Sequence, residues 1–164
     1  MGRRSTKENK SVWQVTREEL GLTREKAGEL IPGFSPEQIE KIENGRVQIQ
    51  PEDAILLAEH YKAPALLNHY CCEECPIGQT HAVRAESKEL AQITVETLNA
   101  LNKLNRSKDR FLEIAEDGRV REDEYADFRE IKNTLDRIQQ SVSNLQLWVD
   151  EQIAAGHFSR PAED

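Results

Sequence analysis

Ser35-Pro36-Glu37-Gln38-Ile39-Glu40-Lys41-Ile42-Glu43-Asn44-Gly45 announces its own structure more clearly than any other stretch of the chain. A serine at N-cap, a proline at the first helical position and a glutamine at the third are the three signals of a helix start. Ile39 and Ile42 lie three residues apart, on one face, and Gly45 ends the run. The spacing predicts a short amphipathic helix from Ser35 to Asn44, with Glu37, Gln38, Glu40 and Lys41 turned outward.

Upstream, Pro32-Gly33 stops a preceding helix that Thr23 caps, expected over Arg24 to Ile31. Thr16-Arg17-Glu18-Glu19 has capping-box spacing and is also consistent with the last turn of a first helix. Downstream, Pro51-Glu52-Asp53 opens a fourth helix, with acids where the macrodipole favours them. Ile55, Ala58 and Tyr61 form its expected inner stripe. A fifth short helix runs from Pro64 to near Tyr70.

The character changes after Gly78. One long helical pattern covers about Ala85 to Glu116, with Leu90, Ile93, Leu101, Leu104, Phe111 and Ala115 on one face. Asp117-Gly118 breaks it. The charged run Glu116–Glu124 lacks the alternating ligand spacing of a calcium loop and reads as a hairpin turn. Phe128, Ile131, Leu135, Ile138, Val142, Leu145 and Val149 then alternate steps of three and four, a heptad seam. Two long helices joined by a short turn predict an antiparallel hairpin, used for dimerisation or for docking a protein partner.

The expected division is a basic arm (1–10), a reader domain (11–72), a cysteine-containing linker (73–84), a coiled-coil-like helical hairpin (85–158) and a disordered tail (159–164). The fold class is all-α. Of the 164 residues 37% are hydrophobic, 32% charged and 5% aromatic, which suits small helical units rather than an aromatic-lined cavity.

The segment Leu22 to Gly28, continuing through Ser35-Pro36-Glu37-Gln38-Ile39 to Ile42-Glu43-Asn44-Gly45, resembles the XRE family, the Cro/phage-repressor type of helix-turn-helix. The resemblance covers about 60 residues and implies a five-helix domain whose third helix enters the major groove. It places Arg24 at a phosphate-contact position. It also places Pro36, Glu37, Gln38 and Lys41 near base edges, and Asn44 and Arg46 toward the neighbouring backbone. Pro32-Gly33 departs from the pattern by lengthening the turn. The stretch from Pro64 to Gly78 and the helical second half are similar to XRE-type regulators of Firmicutes. That similarity implies a bacterial or phage-derived regulator.

Charge complicates the partner. The net charge is −8, and residues 1–79 hold 10 Lys/Arg against 13 Asp/Glu, so attraction to a polyanion has to be local. Arg3, Arg4, Lys7 and Lys10 supply a basic arm, and Glu37 and Glu40 oppose it from the reading face. Two readings follow. One is a dimeric regulator of transcription that reads a pseudo-palindromic site in double-stranded DNA. The other is a protein-interaction adaptor on a helix-turn-helix scaffold that no longer binds DNA.

His69-Tyr70-Cys71-Cys72-Glu73-Glu74-Cys75-Pro76 is the remaining chemical constellation. Cys71, Cys72 and Cys75 with His69 or His81 would make an S₃N zinc shell. A redox-active dithiol and inert packing are the alternatives, and the cluster does not resemble a secreted disulfide framework. No apolar run approaches the ~18–20 residues a membrane span needs. No catalytic triad, phosphate loop or carboxylate pair can be assembled, so a cytoplasmic protein that is not an enzyme is expected.

Overall fold

The computed structural model describes residues 9–157 and Ser159. Arg3, Arg4 and Lys7 of the basic arm, and the tail beyond Ser159, lie outside the described residues. The chain is all-α, with no strand among those residues. It divides into two units, one of residues 1–82 together with 150–164, the other of residues 83–149.

Three side-chain caps start the first three helices of the N-terminal unit. Ser11 accepts from the Gln14 N–H ahead of α1 (Val12–Glu19), and Thr23 from the Lys26 N–H ahead of α2 (Arg24–Leu30). Ser35 accepts from the Gln38 N–H ahead of α3 (Pro36–Glu43), the helix expected from its caps. Thr16–Glu19 is thus the end of α1. The turn Ile31–Ser35 separates α2 from α3, and Ile31 and Phe34 fold back from it into the core. Gly28 permits this crossing, because a Cβ there would sit 3.2 Å from the Phe34 carbonyl oxygen and 3.3 Å from Pro36 Cδ.

Helix α4 (Pro51–His60) buries Ala54, Leu57 and Ala58, with Tyr61 at its end. Ile55, expected inside, is exposed. It lies one residue from Ala54, about 100° round the helix and so off the buried face. Helix α5 (Ala65–His69) widens into a π-turn, Tyr70–Glu74, and α6 (Gly78–His81) follows. One cluster runs through the unit, with Trp13, Ile31, Ile39, Ile49, Leu57 and Leu66 among its members. Each such side chain contributes roughly 1.5–3 kcal/mol by leaving water.

The second unit holds α7 (Leu90–Arg106), α8 (Lys108–Ala115) and most of α9 (Tyr125–Ala154). The single helix expected over 85–116 is shorter and broken. Residues 85–89 are not helical, and the Glu86 N–H donates to Asn144 Oδ1 at 2.9 Å instead of joining a helix. At Ser107 the N–H is shared between the Lys103 and Leu104 carbonyls and the side chain also turns back toward Lys103, which separates α7 from α8.

A turn and a 3₁₀ segment, Glu122–Glu124, lead into α9, with Glu124 buried and held by the Arg121 guanidinium at 3.0 Å. That carboxylate also accepts from the Arg121 backbone N–H, and the two contacts keep its pKa below the usual glutamate range.

Ion pairs show the antiparallel run of the hairpin. Lys103 meets Glu130 at 3.0 Å, and Arg110 meets Asp127 at 2.7 Å. The face that α9 buries is not the full heptad seam. Ile131 is inside, but Thr134, Ser141, Asn144 and Leu147 are its companions, while Phe128, Leu135, Val142 and Leu145 are exposed. A single facing layer covers only one flank of a heptad stripe, and the other flank is left to solvent.

Candidate nucleic-acid interface

A buried carboxylate organises the outer face of α2 and α3. Glu43, on the last turn of α3, accepts from Arg17 Nε at 2.5 Å and from Arg17 Nη2 at 3.0 Å. The pair is enclosed, with side chains 7% and 1% exposed for Arg17 and Glu43. Arg17 Nη1 donates further to the Leu22 carbonyl at 2.6 Å, so one guanidinium ties α1 to α3 and to the turn before α2. Burial works against the charge on Arg17, but the hydrogen bonds to Glu43 outweigh it and hold its pKa above the ordinary value.

Arg24 is the second cation on this carboxylate. Its Nε donates to Glu43 Oε2 at 2.9 Å, which fixes the guanidinium at the start of α2. No other hydrogen bond or ion pair reaches it among the described residues, and its side chain is 30% exposed. The terminal nitrogens are thus left unengaged on a stem fixed through Nε, an arrangement suited to a phosphate oxygen.

The α3 surface brings several of the expected reading residues together. Glu37, Gln38 and Lys41 line a shallow groove with Ser35, Val47, Gln48 and Asp53. Gln48 and Asp53 were not expected there, since they follow Gly45 in a loop and a helix start with no motif of their own. Pro36 lies against Gly28 and is half-buried, so it shapes the crossing of α2 and α3. Lys41 is exposed and makes no hydrogen bond or ion pair among the described residues.

Acids share the same surface. The Glu37 carboxylate takes its own backbone N–H first and the Ser35 hydroxyl second, and its pKa falls below the usual glutamate value. Glu25 is held down in the same way, by its own backbone N–H and by Thr23. Glu40 occupies the two expected backbone-contact residues, accepting weakly from Asn44 at 3.5 Å and pairing with Arg46 at 3.7 Å. Arg46 stays 67% exposed, so this contact is a loose one.

Residues 14–69 match the helix-turn-helix domain family. The match spans α1 to α5, with α2 and α3 as the helices on either side of the turn. A helix-turn-helix domain suggests DNA as the partner of this segment. No curated protein and no solved structure matches the chain.

The helix-turn-helix domain has one orphaned polar group at its centre. The Tyr61 hydroxyl is buried with no hydrogen-bond partner among the described residues. Burial first and the Glu43 charge second push its pKa up to about 12. Tyr61→Phe removes that hydroxyl and should leave stability unchanged or raise it by up to ~1 kcal/mol. A thermal melt that instead shows a loss of more than ~1 kcal/mol would give the hydroxyl a bonded role.

The cysteines sit beside a clasp that Glu74 and His69 make on α1. Trp13 Nε1 donates to Glu74 Oε1 at 2.7 Å, and the Trp13 ring meets His69 edge-on at 6.1 Å between centroids. His69 Nε2 also lies 3.9 Å from the same carboxylate oxygen. Cys72 Sγ points back to Asn68 Oδ1 at 3.7 Å, whereas Cys75 Sγ accepts from the Gly78 N–H at 3.4 Å. Cys71 is exposed, and a Cβ on Gly78 would overlap its carbonyl oxygen. The expected zinc ligands Cys71, Cys72, Cys75 and His69 are neighbours without converging. Among the described residues no group of three His, Cys, Asp or Glu side chains is placed to hold a metal ion. No helix among the described residues is long and apolar enough to cross a membrane.

Proposed function

We propose that the protein is a non-catalytic transcriptional regulator of the XRE type, from a bacterial or phage-derived source, acting in the cytoplasm as a dimer on a pseudo-palindromic site in double-stranded DNA. The observation that carries this reading is the match of residues 14–69 to a helix-turn-helix domain, inside which Glu43 braces the half-buried Arg24 guanidinium at the start of α2. In this mechanism Arg24 and Arg46 position the domain on phosphates, while Gln38 and Lys41 reach base edges and Glu37 accepts from cytosine N4. With a net charge of −8, contacts as few as these make binding weak away from the cognate site and steeply dependent on salt.

Selection of binding sites from random duplex DNA with the full chain, followed by titration at several salt concentrations, tests it. Lys41→Ala should cost the cognate site about 1–3 kcal/mol and relax the preference at one position. Arg24→Ala should weaken all sites alike and lower the salt slope by about 1. Selection that enriches no motif would overturn the proposal. A second reading, a protein-interaction adaptor on the same scaffold, draws on the ionised Glu25 and Glu37 at the outward helix starts. Capture of one stoichiometric protein partner, with no DNA bound at low salt, would favour it.

A further inference from the structure

The second unit, taken alone, is packed inside out along α9. Thr134, Ser141 and Asn144 face inward, at 2%, 4% and 0% exposure. Thr134 and Ser141 satisfy their hydroxyls on the carbonyls of Glu130 and Arg137, and Asn144 Nδ2 has no partner among the described residues. Ile131 and Leu147 share that buried face, but other large apolar side chains point out. Val142 is 57% exposed and Leu98 55%, where burial would be expected of a helical hairpin stabilised by its own core.

The two flanks of the hairpin differ in kind. Lys103–Glu130 and Arg110–Asp127 cross from one helix to the other on the first flank. The register they set, confirmed by the Glu86–Asn144 hydrogen bond, places Leu90 level with Val142, Leu98 with Leu135, and Leu101 near Phe128. At 100° per residue these six all fall on the flank away from the ion pairs, on the same side of both helices. Three apolar rungs therefore run down one face. Around them α7 is nearly uncharged, with Thr94, Asn102 and Asn105 at its margin, and Lys132 (ion-paired with Asp136), Gln139 and Gln146 border the rungs on α9.

We propose that this face is the interface between two copies of the chain, α7 and α9 of one protomer packing on α9 and α7 of the other as a four-helix layer. The inference deepens the dimeric part of the proposed function and gives it a surface. The area supports a second copy as occupant. The exposed rungs amount to on the order of 400 Å² of apolar surface, the size of patch that marks an interaction site. A specific interface buries about 800 Å² per partner, so the apolar rungs would form its centre and the mostly polar margin its rim. A symmetric pairing also sets like against like, which suits a patch whose centre is apolar and whose bordering Lys132 already has its counter-charge in Asp136.

The test is the mass of the full chain in solution, by light scattering and sedimentation from micromolar to submillimolar concentration. Twice the 18.8 kDa of one chain is expected. Leu98→Glu and Val142→Glu should each weaken the dimer at least ~100-fold, because a carboxylate would be buried among apolar side chains. Their helical circular dichroism should stay that of the parent, as both positions are exposed in the single chain. Asn133→Glu, on the outward side of α9, should leave the mass unchanged. A monomer at the highest concentration, or charged variants that pair as the parent does, overturns the proposal. Duplex binding measured on the same samples separates the two readings. A dimer that binds no DNA removes the regulator and leaves the interface; a monomer that binds DNA does the reverse.

Discussion

Glu43→Ala should destabilise the N-terminal unit by about 3–5 kcal/mol, because it leaves the Arg17 guanidinium buried without its counter-charge. Arg17 keeps only the Leu22 carbonyl in that variant. Breaking one partner of a buried pair is far costlier than removing both, since the survivor still carries its desolvation penalty. In a domain of this size the loss should lower the melting temperature by roughly 15–30 °C, which circular dichroism on the isolated variant would read directly. A drop of only a few degrees would mean that the pair is solvated and that the bidentate geometry does not persist. The double variant Arg17→Met with Glu43→Leu separates stability from positioning. It should recover most of the lost stability, yet free Arg24 from its brace and so weaken duplex binding as Arg24→Ala does.

That brace shows what could and could not be read from the chain in advance. Ser35, Pro36 and Gln38 act through neighbours two or three residues away, so the start of α3 was legible as a local pattern. Arg17 and Glu43 are 26 residues apart, and no local rule joins them. Glu43 was recognisable as the acid closing a helix, but the cation that holds it had no signal beyond being one arginine among many.

The heptad seam teaches a related lesson. Its apolar spacing on α9 is real, but spacing states which residues prefer to leave water and not which neighbour will cover them. One facing layer covers Ile131 and leaves Val142 out. The break at Ser107 and the non-helical residues 85–89 escaped for another reason. Both arise where a side chain or a distant Asn144 takes over hydrogen bonds that the helix would otherwise make.

Trp13 carries the second large effect. Its indole is 3% exposed within the core of the N-terminal unit, and it is also the donor that holds the π-turn through Glu74. Trp13→Ala should cost about 3–5 kcal/mol, the range for emptying a large aromatic site. Trp13→Phe keeps most of the buried area and loses the Nε1–Glu74 hydrogen bond, so its cost should be smaller, about 1–2 kcal/mol. The two variants differ in what they release. Cys72 and Cys75 flank Glu74 in a turn whose outer residues are already half-exposed. If the indole is what fastens that turn to α1, loss of the Nε1 donor alone lets it open more often while α1 to α4 stay folded. Thiol modification by a disulfide reagent should then run several-fold faster in Trp13→Phe than in the parent, at temperatures well below the melt. An unchanged rate would show that the turn is held by α5 and its own backbone. The cysteine segment would then be independent of the helix-turn-helix core beside it.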